Sequence, residues 1–266
     1  MGLHSYARFV ACWTLLLVLT GAAVTSSRDL PRQAVLRSTH TIVAMAAAAL
    51  LLGLVVWIFR KGPIRPVAWI VLTVAVAEIA LGGFASGPVT GTLHAFLGAM
   101  LFAAVAIVDR CTSTSWAEAP ELAQDYGWPS LRFLSGSAAL FVAVQIAFGA
   151  GFRHSAVGIL PHLLGAMVVA LFIMIVGAFV SHQFPKHPTL RPMAVAFMSI
   201  TGIQVFLGML AFLMRLMQGA GTIVFLGISA AHVATGSLTF AISVILAIEV
   251  RRCVRPRDAT AAGDAS

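Results

Sequence analysis

Stretches of some twenty apolar residues, each closed by charges or helix breakers, recur along the whole chain. A run of about 20 apolar residues is long enough to cross the hydrocarbon core of a bilayer as a helix. Eight such spans are predicted, over residues 9–25, 38–59, 67–86, 90–108, 133–151, 159–181, 193–214 and 222–250. Between them lie "SSRDLPRQAVLR", "RKGPIRP", "SGPV", "RHSAVGILP", "HQFPKHPTL" and "RLMQGAG", whose Pro, Gly and charged residues break a continuous span. The longest connection, Asp109 to Arg132, divides the spans into two sets of four. The predicted fold is an all-α membrane protein with eight transmembrane helices arranged as two pseudo-symmetric four-helix bundles. Its units are an N-terminal half (1–110), a cytoplasmic linker (111–132), a C-terminal half (133–252) and a cytoplasmic tail (253–266). The eighth span is long, and an irregular start is expected at "QGAGT".

Composition agrees with that pattern. Of 266 residues, 60% are hydrophobic and only 10% charged, with a mean hydropathy of +0.97, which leaves too little polar surface for a sizeable soluble domain. The net charge of +8 therefore does not point to nucleic acid; in membrane proteins basic residues gather in cytoplasmic segments. With the N-terminus inside, 12 of the 17 basic residues fall inside, leaving Arg28, Arg32, Arg37, Arg153 and Arg215 outside. That distribution places both termini in the cytoplasm, and the chain is expected in a bacterial or archaeal plasma membrane with lipid as its surroundings. The first 27 residues imitate a signal peptide, but the internal repeat uses them, so they are read as a retained first helix. Cys12, Cys111 and Cys253 are scattered and support neither a disulfide framework nor a cysteine metal site.

The two halves repeat. Gly21 at the end of the first span corresponds to Gly149 in the fifth, 128 residues on. His40 and His162, in the second and sixth spans, are 122 apart. "EIALGG" in the third span matches "QVFLGM" in the seventh, pairing Glu78 with Gln204 and Gly82 with Gly208 at an offset of 126; "QIAFGA" at Gln145 is related. His94 and His232, in the fourth and eighth, are 138 apart and pair Gly98 with Gly236. Each half holds an even number of spans, so the halves share one orientation, related by an axis along the membrane normal.

His40, His94, His162 and His232 each lie toward the outer end of an even-numbered span, with Ala44, Gly98, Ala166 and Gly236 four residues later. Positions i and i+4 share a helix face, so the small residue leaves a flat gap beside the ring, wide enough for a porphyrin edge. The plain reading of one such histidine is a ring hydrogen-bonded within the bundle. The sharper reading is ligation of heme iron, for which two histidines on facing helices of a four-helix bundle are a natural axial pair. Two symmetric pairs favour ligation, which makes these four the candidate metal and cofactor ligands. His154 stands where it could approach a cofactor edge, whereas His4, His182 and His187 read as solvated loop residues. Glu78 is a functional candidate as an intramembrane carboxylate; a protonated Glu78 hydrogen-bonded to a neighbouring helix, a bond that Gln204 could make equally well, is the simpler role. The helix-face glycines read as close-packing positions. Arg37 and Arg153, each close to a histidine, are candidate partners for the propionates of a heme, because arginine suits a carboxylate; contact with lipid headgroups is the alternative.

The order of these segments resembles the heme A synthase family, the cytochrome oxidase assembly proteins. The resemblance runs through nearly the whole chain, on "LTGAAVTSS", "RSTHTIVA", "EIALGG", "LHAFLGA", "GAGFRHS", "HLLGAMVVA", "QVFLGML" and "AAHVATGSL". It implies an oxidoreductase of heme biosynthesis that oxidises the heme O methyl group to a formyl group, giving heme A. His40 and His94 would flank the substrate heme O, and His162 and His232 would ligate a heme b. Implied partners are a heme O synthase, a terminal oxidase and an electron donor. Family members commonly carry a catalytic glutamate three residues before the second-span histidine, where this chain has Arg37, and many have an outer-loop cysteine pair, which this chain lacks. No catalytic residue is therefore assigned. The competing reading is a non-catalytic diheme b-type cytochrome for electron transfer or heme handling. A histidine-dependent transporter would need a polar path across the bilayer, and the spans offer only Glu78 and scattered amides and hydroxyls.

Overall fold

Backbone groups inside a bilayer must find their hydrogen bonds within the chain, which favours uninterrupted helices. The computed structural model describes residues 2–27, 31–61, 64–125, 127–218 and 222–256, and its eight long apolar helices are α1 (Leu3–Ser26), α2 (Gln33–Lys61), α3 (Arg65–Gly82), α4 (Pro88–Cys111), α6 (Leu131–Arg153), α7 (Ile159–Gln183), α8 (Leu190–Gln218) and α9 (Ile223–Cys253). A short α5 (Thr114–Ala117) and strand β1 (Ala123–Gln124) lie in the linker, and strand β2 (Val254–Arg255) follows α9. The protein is an all-α integral membrane protein.

Local chemistry sets the helix ends. Pro88 opens α4 and a proline also falls in the first turn of α3, where a missing N–H costs nothing. Ser130 caps α6 by accepting from Phe133 N, and Thr222 caps α9 by accepting from Phe225 N at 3.1 Å. Several helices outrun the predicted spans. α1 starts at Leu3 instead of residue 9, and α9 continues through Arg251 and Arg252, because charged side chains near a membrane surface can reach water or a partner without ending the helix. The third ends earlier than expected, at Gly82, where Gly83 begins a turn. Residues 219–221, most of the "QGAGT" segment, and Arg28 lie outside the described residues.

Helices α1–α4 pack on one another, as do α6–α9. Between the bundles, α1 and α4 contact α9, and α4 contacts α6. The α1–α9 contact is thus mirrored by α6–α4, and the pseudo-twofold axis passes between α4 and α9. One bundle core is built on Val10, Leu54, Ile58, Val71 and Val105, the other on Leu131, Ile173, Leu190, Phe197 and Leu246. Large apolar side chains such as Ile42, Leu52, Met167 and Leu171 point outward, as expected where lipid is the solvent.

The molecule has two ends. The C-terminal ends of α1, α3, α6 and α8 and the N-terminal ends of α2, α4, α7 and α9 share one, called here the histidine end. The linker and the C-terminal segment meet at the other. There β1 pairs in parallel with β2, Ala123 opposite Val254, so Val254 and Arg255, at the start of the expected tail, are tied to the linker. Asp125 accepts from Leu131 N at 2.8 Å, and Arg132 donates to Val254 O. Glu249, fully buried, accepts from Arg110 Nε at 2.6 Å, and Arg252 lies 3.8 Å from its other oxygen. His187 corrects the expectation of a solvated loop residue. It is buried, its Nδ1 accepts from Thr189 N and Leu190 N at 3.2 Å, and its Nε2 lies 3.1 Å from Glu121 O. It therefore caps α8 and fastens it to the linker; a polar ring in this crevice is satisfied by backbone instead of water.

Candidate functional site

The histidines meet in pairs across each bundle. His40 on α2 faces His94 on α4, with ring centroids 6.4 Å apart and planes at 83°. His162 on α7 faces His232 on α9, at 6.2 Å and 82°. All four sit in the first three turns of their helices, at the histidine end.

Each ring rests on a glycine of the preceding helix. A Cβ added at Gly21 would lie 3.0 Å from His40 Cε1, at Gly149 2.9 Å from His162 Cε1, at Gly208 2.7 Å from His232 Cε1, and at Gly82 3.5 Å from His94 Cε1. Any larger residue at the first three would push the ring away. The glycines expected as close-packing positions are thus contact points for imidazoles.

Nδ1 of every ring is engaged. Thr20 Oγ1 lies 3.0 Å from His40 Nδ1, Glu78 Oε2 3.2 Å from His94 Nδ1, Gln145 Nε2 2.9 Å from His162 Nδ1, and the Gln204 carbonyl 3.0 Å from His232 Nδ1. The backbone at Leu17, Glu78 and Gln145 also offers a hydrogen bond to its facing ring, as at Gln204. These four residues share a rule: each stands four positions before the glycine that carries the ring. Among the described residues, no hydrogen bond reaches Nε2 of any of the four histidines.

A group bound by paired imidazoles can be tested against this geometry. Two metal–nitrogen bonds of about 2.0 Å and two ring radii of about 1.15 Å place the centroids of imidazoles on opposite sides of one ion roughly 6.3 Å apart. Both pairs fit. A ligating histidine ordinarily gives its second nitrogen to a carbonyl, carboxylate or similar partner, which fixes the ring. Thr20, Glu78 and the Gln204 carbonyl can accept in this way, and at His162 the Gln145 backbone is the accepting partner, because the Gln145 amide nitrogen is itself a donor. No group of three or more His, Cys, Asp or Glu side chains forms a cage for a bare ion among the described residues, so a group that needs two axial protein ligands suits the site better than one that needs four.

One expected feature differs. The small residues four positions after His94 and His232 do not front an open gap. A Cβ at Gly98 would lie 3.1 Å from Glu78 Oε1, and one at Gly236 2.9 Å from Gln204 Nε2. Glycine admits the polar side chain of the neighbouring helix there. Thr235 donates to Gln204 Oε1; the corresponding position in the first half is Leu97.

The remaining candidates scatter around the pairs. Arg37 is exposed, one turn before His40 on α2. Arg153 bridges the halves, donating to Ala22 O at 2.8 Å and Ser26 Oγ at 3.0 Å near the end of α1, and it lies within electrostatic range of His232. His154 is buried, its ring against Gly91 of α4. Thr20 escaped the sequence reading, and Gln145 entered it as a related motif without a role, although the recurrence of Glu or Gln four residues before Gly in "EIALG", "QIAFG" and "QVFLG" carried the signal. No family model matches the chain, and no curated protein is significantly similar to it.

Proposed function

We propose that the protein is a heme-binding membrane protein of the heme A synthase type, with one heme site at His40 and His94 and a second at His162 and His232. The observation that carries the reading is the repeated ring pair: centroids 6.4 and 6.2 Å apart, every Nδ1 engaged and every Nε2 left for a ligand. Bound heme supplies a redox-active iron. The chain's own residues would hold it: His40, His94, His162 and His232 as its ligands, Gly21, Gly82, Gly149 and Gly208 as ring supports, and the partners of Nδ1 as the groups that fix each imidazole. On this reading the first site would take heme O, whose methyl group would be oxidised to formyl with an external electron acceptor and an oxygen atom from water or dioxygen, and the second would keep a resident heme b. Arg153, at the second site, is the candidate partner for a propionate.

A second reading, a diheme b-type cytochrome without synthase activity, is favoured by Arg37. A guanidinium stays charged at neutral pH and cannot act as a base, so it cannot replace a glutamate that handles protons. Co-expression with a heme O source, followed by reversed-phase analysis of extracted heme, separates the two. Heme A in the extract identifies a synthase; heme b or heme O alone identifies the cytochrome, and Arg37→Glu then tests whether a carboxylate raises the heme A yield. Purified protein with no Soret band refutes both readings.

A further inference from the structure

We propose that Glu78 sets the two heme sites to different reduction potentials by acting on the ligand His94, the first site being the lower; this rests on the heme reading above. Among the four residues that stand four positions before a ring-bearing glycine, only Glu78 carries a formal charge. Its Oε2 lies 3.2 Å from His94 Nδ1, and the two side chains are only 12% and 23% exposed. Neither atom has a hydrogen bond of normal geometry among the described residues; the carboxylate faces the ring across this ion-pair contact, and the Glu78 backbone is the ring's other polar neighbour. Gly98 makes the room: a Cβ there would stand 3.1 Å from the other carboxylate oxygen. Leu97, at the position of Thr235, offers no competing hydroxyl. In the second half the counterpart amide is drawn to Thr235, and His232 Nδ1 meets a neutral carbonyl instead.

A carboxylate that accepts from the distal N–H of a ligating imidazole makes that ring a stronger donor. Its charge acts at short range in a medium of low dielectric. Both effects favour ferric over ferrous iron at the first site. The couple is Fe3+ plus one electron to Fe2+, with no atom transferred. Glu78 touches the ligand and is a positioning and tuning residue.

The test is an optical redox titration of purified protein, with dithionite as reductant, beside a measurement of heme per chain. Native protein should show two waves, the lower one removed by His94→Ala. In Glu78→Gln, both hemes should remain, the lower wave should rise, and the upper should stay fixed. A tenfold loss of the ferric preference corresponds to about 59 mV for a one-electron couple. Glu78→Asp, whose shorter side chain withdraws from Nδ1, should shift the same wave in the same direction. Unmoved waves in both variants would overturn the proposal, as would loss of the first heme from both, which would make Glu78 a holder of heme and not a tuner. Native protein without heme would instead overturn the reading on which the proposal rests.

Discussion

Gly208→Ala is the sharpest test of the ring supports. The added methyl would stand 2.7 Å from His232 Cε1 and 3.1 Å from its Nδ1, while carbon atoms rest at about 3.5–4.0 Å. The ring or helix α8 must give way by roughly 1 Å, and overpacking of this kind costs about 1–3 kcal/mol. A ligand must be held within about 0.5 Å of its productive position, so the strain falls on ligation. If all of it appears in heme affinity, retention at the second site weakens by roughly 5- to 140-fold. The chain supplies its own graded controls. Gly149→Ala and Gly21→Ala add contacts at 2.9 and 3.0 Å, and Gly82→Ala an ordinary one at 3.5 Å. Heme dissociation to an apo-globin acceptor, followed through the Soret band, should be fastest in Gly208→Ala, slower in Gly149→Ala and Gly21→Ala, and native-like in Gly82→Ala. Gly208→Ala and Gly149→Ala should affect the second site, and Gly21→Ala the first. Equal rates in Gly82→Ala and Gly208→Ala would refute the argument from ring support.

Other substitutions separate scaffold from site. Glu249→Ala should strand two arginines against a buried position; losing one partner of such a cluster costs about 3–5 kcal/mol, read as a lower midpoint in thermal size-exclusion assays with the histidine-end spectra unchanged below it. His187→Ala removes the cap on α8 and should lower the melting temperature through a loss of about 1 kcal/mol, while the exposed His182→Ala should not change it. Arg153→Gln removes charge-assisted hydrogen bonds to the end of α1, each worth about 1.5–3 kcal/mol, and should both lower the melting temperature and speed heme loss from the second site more than the first; a change in melting alone would leave Arg153 a strap between the halves.

Most of the architecture was legible because a bilayer demands long apolar helices, and the sequence shows each as an unbroken run. The ends of the runs were less legible. Arg251 and Arg252 look like a stop, yet α9 carries them on helix and uses Arg252 beside Glu249. The pairing of histidines followed from the repeat, since helices at equivalent places in two halves must present equivalent faces. What each histidine touches did not follow. A glycine four residues after a histidine reads equally as an opening or as a contact, and only packing tells them apart: Gly98 and Gly236 receive Glu78 and Gln204. His187 and the β1–β2 pairing depend on contacts between segments more than 60 residues apart, which no local pattern announces.

The way the repeat has diverged bears on what the halves do. Histidine and supporting glycine occur four times, on α2 and α1, α4 and α3, α7 and α6, and α9 and α8. The positions that fix the distance and tilt of the rings have therefore been held to one solution. The side chain beside Nδ1 differs each time: a hydroxyl at Thr20, a carboxylate at Glu78, an amide at Gln145 and none at His232, which meets the Gln204 carbonyl alone. The backbone four positions before each glycine already serves all four rings, so the differing side chains are additions to a shared contact. A hydrogen bond at Nδ1 does more than fill space; it alters the donor strength of the opposite nitrogen. The variation falls on the atoms that adjust a ligand, and the constancy on those that place it. That division suits two sites built to hold the same kind of group and to use it differently.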